Sequence, residues 1–128
     1  MLNGLLTTTI YVKVYENRFV LKLLDESARS ITIVPTEAFT TERLLVGQFG
    51  SAQAALKKGL KDVFAGKWFA ASPSVIIQPM QKIEGGLSEI EERVFKELAA
   101  GAGASKVTVW VGHELSDVEA LDRAKKSR

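Results

Sequence analysis

The chain has 128 residues, 46% hydrophobic and 25% charged, which fits one globular domain and excludes a disordered or collagen-like chain. It has no cysteine, and His113 is its one histidine, which excludes disulfide frameworks, thiolate metal sites, cysteine nucleophiles and multi-histidine metal sites. The net charge of +2 sits at the end: residues 122–128 carry four cations and one anion, leaving 13 cations and 14 anions elsewhere, a body without the basic footprint of a nucleic-acid binder.

Thr7 to Tyr15 (TTTIYVKVY) is β-branched and aromatic and predicts a first strand. After the break at Glu16-Asn17, Arg18 to Leu24 (RFVLKLL) predicts a second, and the short connection predicts a hairpin, although Asn17 lacks a following glycine. Ser30 to Val34 (SITIV) predicts a third strand, stopped by Pro35, and Pro35 to Arg43 reads as a polar loop. Leu44 to Val46 is a short apolar run. Ala52, Ala55, Leu56, Gly59, Leu60, Val63 and Phe64 then recur at helical spacing, opposite a face of Lys57, Lys58, Lys61 and Asp62. This helix is expected over Ser51–Ala65, with Ser51 as N-cap and Gly66 as its stop. Gly59 on the apolar face implies close packing on a sheet.

Ser74 to Gln78 (SVIIQ) lacks alternation and predicts a strand covered on both sides. Ser88 and Glu91 form the S-x-x-E pattern of a capping box. Ile90, Val94, Phe95, Leu98 and Ala102 mark the apolar face of the helix that follows, over Ser88–Ala100, and Gly101 and Gly103 end it. Lys106 to Val111 (KVTVWV) predicts another strand. Ser116 to Lys126 predicts a final helix whose early acids and late bases suit its dipole. No run approaches the roughly 18 apolar residues of a membrane span, and a signal-peptide pattern is lacking at the N-terminus, so the expected location is cytoplasmic. The predicted order is β-β-β-α-β-α-β-(α), a mixed sheet with helices packed on it and a basic tail over 122–128. It is the order of the ribonuclease-H-like core shared with actin-like proteins.

The residues themselves add a resemblance. LLVGQFGSAQAALKKGLKDVFAGKWFAASPSVIIQP and SEIEERVFKELAAGAGASKVTVW, with Glu91, Arg93, Glu97, Ala99 and Gly101 to Ala104 as telling positions, resemble the MreB family of bacterial actin homologues. TIYVKV resembles that family's first strand. The likeness covers about three quarters of the chain and corresponds to subdomain IA, without the inserted subdomain IB and without the half that carries the second phosphate loop.

The resemblance implies a first phosphate loop at Leu2 to Thr8, where only Gly4 and Thr8 match and the family's carboxylate is missing. It places the family's Glu-Glu-Pro on Val111-Gly112-His113, with Glu114 nearby but displaced from the hydrolytic position. In that family, the loop matching Gly66 to Ala70 dips into the inner membrane. Here Lys67, Trp68 and Phe69 form the candidate contact, with a membrane or a protein surface, while core burial of both rings is the alternative. The basic residues from Arg123 to Arg128 are read as a solvated helix end, with a weak attraction to anionic lipid as the sharper alternative.

The expected function is that of a non-enzymatic MreB-like interaction domain, linked to bacterial cell shape or cytoskeletal assembly. It needs no cofactor or metal and does not bind nucleic acid. Its partners are a protein or a second copy of itself, with peripheral inner-membrane contact as a further expectation. Two alternatives stand beside it: a nucleotide-binding half-site completed by another chain, and an unrelated enzyme on a ribonuclease-H-like fold. The latter calls for metal-binding carboxylates at strand ends, where this sequence has Lys13, Lys22 and Lys106.

Overall fold

The computed structural model describes residues 8–64 and 72–126. Its strands are β1 (Thr9–Tyr15), β2 (Arg18–Leu23), β3 (Ser30–Ile33), β4 (Ser74–Pro79) and β5 (Lys106–Val109). Its helices are α1 (Phe49–Val63), α2 (Glu89–Ala102) and α3 (Asp117–Lys126). The strands form one mixed sheet in the order β3-β2-β1-β4-β5. β2 is antiparallel to both β1 and β3, whereas β4 is parallel to β1 and to β5. The predicted element order therefore holds, final helix included.

Pleating divides the strand residues between two faces. Ile10, Val12, Val14, Phe19, Leu21, Leu23, Val75 and Ile77 pack under α1 and α2 in the larger core. Tyr11 and Ile76 point to the other face, where α3 covers them with Ala120 and Ala124. β4 is buried along its whole length because it lies between helices on both faces, as its unbroken apolar centre predicts.

The α1 face is the predicted one: Ala52, Ala55, Leu56, Gly59, Leu60 and Val63 are buried. A Cβ on Gly59 would lie 3.2 Å from side-chain atoms of both Ile33 and Leu21, so this glycine permits the close helix–sheet approach. Ser51 does not cap α1. The helix starts two residues earlier, after Gln48, whose side chain makes no capping bond. Gln48 N–H instead donates to Phe39 O at 2.9 Å, so a loop carbonyl fixes the entry to the helix. α1 gives way to its C-cap at Phe64, and the expected stop at Gly66 lies outside the described residues.

α2 carries the full capping box between Ser88 and Glu91 and ends at Gly103, with φ 126°. Gly101 lies inside the helix rather than ending it. The predicted apolar stripe is also shifted: Phe95, Leu98, Ala99 and Ala102 are buried, but Ile90 is 76% exposed. Ile90 belongs to the first turn of the helix and is absent from the core that Phe95, Leu98, Ala99 and Ala102 join. In the loop read as polar, Phe39 is wholly buried and stacks on Phe19 with ring centroids 4.8 Å apart.

Candidate functional site

In sheets with parallel strands, clefts form beyond the carboxyl ends of those strands. Here that edge carries the β1–β2 turn, the segment after β4 and the segment after β5. Asn17 organises the first part. It sits in the two-residue turn at φ 53°, a conformation that asparagine tolerates better than most residues. Its Oδ1 accepts hydrogen bonds from Phe39 N at 2.8 Å and Thr40 N at 2.9 Å. Its own N–H donates to Thr40 Oγ1 at 2.9 Å, and that hydroxyl donates to Leu45 O at 2.7 Å. Gly47 closes the same loop where a Cβ would lie 2.2 Å from Thr41 Cγ2. This lattice buries Leu45 and Val46 and leaves Leu44 on the rim, 41% exposed.

The segment after β4 faces that loop. Gln81 Oε1 accepts from Glu16 N at 2.6 Å, and Lys82 Nζ donates to Glu42 O at 2.9 Å. Between this segment, the Leu44–Val46 run and the first turns of α2 lies a groove of about 330 Å³. Its walls are chiefly apolar, with Leu44, Val46, Ile83, Leu87, Ile90 and Val94 among them. Such a volume lies at the small end of the roughly 300–1,000 Å³ of ligand pockets and suits apolar side chains. The first turn of α2 carries Glu89, Glu91 and Glu92, of which Glu91 lines the groove. Glu91 belongs to the capping box, while Glu84, Glu89 and Glu92 are exposed.

A second cluster lies on the other face, beneath the segment after β5. Tyr11 OH donates to Gln78 Oε1 and accepts from Leu115 N at 3.0 Å. Gln78 Nε2 donates to Gly112 O at 2.9 Å and His113 O at 3.2 Å. Tyr11 and Gln78 are 2% and 1% exposed, so these bonds replace water for every buried polar atom concerned. Burial pushes the Tyr11 phenol above its ordinary value, against the Leu115 N–H, which favours the phenolate. Trp110 Nε1 donates to His113 O at 2.8 Å, and the Arg123 guanidinium lies 3.8 Å from the Trp110 ring centroid. The carboxylates here are held by neighbours: Glu114 by Lys13 at 2.8 Å, Asp117 by Lys22 at 3.0 Å and Glu119 by His113 at 3.2 Å. Glu119 also accepts from Ser116 N at 2.9 Å while Ser116 Oγ accepts from Glu119 N, a second capping box. The Ser116 hydrogen bond, then His113, holds the Glu119 carboxyl below its usual value. Burial opposes the Lys13 charge, but Glu114 outweighs it and raises the Lys13 pKa.

Of the residues singled out in the sequence, Thr8 immediately precedes β1, and its carbonyl accepts from Ser74 N at 2.8 Å. It thus lies at the amino edge of the sheet, remote from the groove. Gly4, Lys67, Trp68 and Phe69 lie outside the described residues. His113 and Glu114 are exposed and face different partners, Glu119 and Lys13. Asp122 to Lys126 of the basic tail belong to α3. No group of three or more His, Asp or Glu among the described residues could hold a metal ion. No described helix is long and apolar enough to cross a membrane. The groove residues were hidden in the sequence because Ile90 fits the helical stripe of the core. The overlooked signal is its setting among Glu89, Glu91 and Glu92, in a first turn that a capping box pins.

No family model matches the chain. The chain is similar to the uncharacterized protein YjaA of Escherichia coli (strain K12), 28% identical over 116 residues that cover 87% of this chain and 89% of YjaA.

Proposed function

We propose that the chain is a non-enzymatic interaction domain on a ribonuclease-H-like, actin-related core, acting by contact with protein and serving cell shape or cytoskeletal assembly at the inner face of the membrane. The order β3-β2-β1-β4-β5 with β2 alone reversed, and helices on both faces, supports the ribonuclease-H-like part of this reading. The short stretch between β3 and α1 fits an MreB-like subdomain IA without an insert.

The observation that carries the interaction reading is the apolar groove at the carboxyl edge, with Leu44 and Ile90 exposed on its rim. An edge built for phosphate or proton transfer would present convergent polar groups. Here Glu114, Asp117 and Glu119 are bound to neighbours within the fold instead. Lys67, Trp68 and Phe69 supply the matching apolar and basic contact segment.

The test combines sedimentation velocity of the whole chain, co-sedimentation with anionic vesicles, and calorimetry with Mg-ATP. Self-association or vesicle binding that falls in Trp68→Ala/Phe69→Ala, without heat from Mg-ATP, is the expected result. ATP binding in the low micromolar range, about −8 kcal/mol, would favour the nucleotide half-site instead.

A further inference from the structure

The sheet ends on β3, which has β2 on one side and no described strand on the other. Leu23 N–H donates to Arg29 O at 2.8 Å, which fixes the alternation along the β2–β3 pair. Arg29, Ile31 and Ile33 turn their backbone groups to β2, while Ser30, Thr32 and Val34 turn theirs outward. Among the described residues, no hydrogen bond engages those outward N–H and C=O groups. A free edge of this kind is a template for another extended chain.

The side chains are as open as the backbone. Ile31 and Ile33 sit half-buried at the margin of the larger core, and Val34 is exposed. Val34, Pro35, Gly50, Ser51 and Ala54 help to line a depression of about 580 Å³ between this edge and α1. Apart from Lys58, its α1 wall is made of small residues, which leaves room beside β3 for a further strand.

Charge favours a second copy as that strand. β3 itself is uncharged, Arg29 precedes it and Glu37 follows it, and neither forms an ion pair among the described residues. Antiparallel pairing of two copies sets Arg29 of each at the end where Glu37 of the other lies. Glu26 shares the turn with Arg29, and Lys58 shares the depression with Glu37, so each end gathers charges of both signs. The opposite edge lacks this balance. β5 carries Lys106, and Arg123 and Lys126 line the depression beside it against Asp122 alone, so a two-fold there sets cation against cation.

We propose that β3 is the contact edge of a two-fold dimer, paired antiparallel with β3 of a second copy. The two Thr32 residues face each other, Ser30 faces Val34, and Ile31 faces Ile33. This register engages every outward backbone group and sets the isoleucines of the two copies side by side, which joins the two sheets and continues the larger core across the joint. It deepens the interaction-domain reading and rests on it, with a second copy as the partner. The contact has fewer than the about 20–30 residues a side of a standard interface, so the dimer exchanges with monomer as concentration changes.

Charges placed at the centre of the pairing test it. Thr32 is exposed and its backbone groups lie outside the β2–β3 hydrogen bonds, so the fold tolerates changes there. Thr32→Lys and Thr32→Glu each set like charges opposite one another across the two-fold. Each should raise the dimer dissociation constant, read by sedimentation velocity, by at least about tenfold. An equimolar mixture of the two should recover a one-to-one complex, because lysine then faces glutamate. Thr32→Pro removes an outward N–H alone; it should weaken the dimer by a similar factor and keep the parent's circular dichroism spectrum. In the parent, amide exchange at Ser30 and Thr32 should slow as concentration rises. A parent that stays monomeric at its highest soluble concentration would overturn the dimer. So would association that all three variants retain, or a lysine–glutamate mixture no tighter than either variant alone. Association that persists in the Thr32 variants but falls in Trp68→Ala/Phe69→Ala would overturn this edge and leave the interaction-domain reading standing.

Discussion

Beneath α1 and α2, the sheet presents Ile10, Val12, Val14, Phe19, Leu21, Val75 and Ile77 to a continuous apolar layer. Beneath α3, it presents Tyr11 and Ile76 to a smaller cluster of Leu24, Leu115, Ala120 and Ala124, edged by Trp110 and Leu121, and Tyr11 and Gln78 are held through hydrogen bonds to the segment after β5. The first face is stabilised by area removed from water, which is additive and indifferent to direction. The second depends on a few directional bonds whose partners suffer when one is removed. Substitutions on the first face should therefore act in proportion to volume and charge. Those on the second should act through what is left unpaired.

The largest effect is expected from Leu60→Asp. Leu60 is buried in the α1 layer, and an unpaired carboxylate there should cost several kcal/mol, of the order of about 3–5. Against the 5–15 kcal/mol typical of a domain, that is enough to unfold much of the population. Chemical denaturation monitored by circular dichroism checks it. A midpoint equal to the parent's would mean that α1 does not supply the core of that face.

Tyr11→Phe probes the other face. It keeps the ring and removes the hydroxyl, leaving Leu115 N–H and Gln78 Oε1 without their partner, a cost of about 1–3 kcal/mol. Tyr11→Phe/Gln78→Leu should destabilise by less than the sum of the single changes, because the second removes a group that the first strands. The same residue gives a pH signature. The folded Tyr11 pKa is raised above its unfolded value near 10, so its contribution is complete below about pH 10 and is lost as pH rises through the folded pKa. The raised Lys13 pKa acts in the same sense and window. Stability of the parent should thus fall in alkali, and the fall should be shallower in Tyr11→Phe. An unchanged alkaline limb would mean that the phenol is not desolvated.

The two faces also differ in how far they could be read from sequence. Helical and alternating periodicity located α1, its glycine at the sheet and the strands, because burying one face imposes that spacing on residue types. Periodicity is silent about ends. Ile90 fits the apolar spacing of α2 yet is exposed, since the spacing describes the helix and not which of its turns a neighbour covers. Phe39 and the Asn17 lattice escaped notice for a related reason: their contacts join positions 20 or more residues apart, across β2 and β3, and follow no period. The Tyr11–Gln78–Leu115 network joins positions 67 and 104 residues apart, and no local pattern announces a bond of that kind. The capping boxes are the exception among polar features. Ser88 with Glu91 was legible because both partners lie within one turn, and Ser116 with Glu119 carries the same legible pattern.

Ser88→Ala compares a cap with the network. It leaves Glu91 N–H without its side-chain acceptor at an exposed helix end, where water replaces it in part, so about 1 kcal/mol is expected. A loss as large as that of Tyr11→Phe would show that the cap also sets the groove wall, which native-state hydrogen exchange at the first turn of α2 would reveal.

The smallest expected effect concerns the ion pair that ties the start of α3 to the sheet. Lys22 lies on β2 and Asp117 opens α3, 3.0 Å apart, with side chains 33% and 48% exposed. Water and salt screen such a pair, and ordering the lysine offsets part of its attraction, so removing it should cost no more than about 1 kcal/mol. Asp117 has a second role that Lys22 lacks: it sits in the first turn of α3, where a negative charge meets the helix dipole. Lys22→Met should therefore destabilise less than Asp117→Asn. The difference between Lys22→Met and the parent should vanish in about 1 M salt, where the screening length is about 3 Å. Melting curves at low and high salt measure both quantities. A salt-independent loss in Lys22→Met would place the lysine stem, rather than its charge, in contact with α3. The α3 face would then owe part of its cohesion to buried area, as the α1/α2 face does.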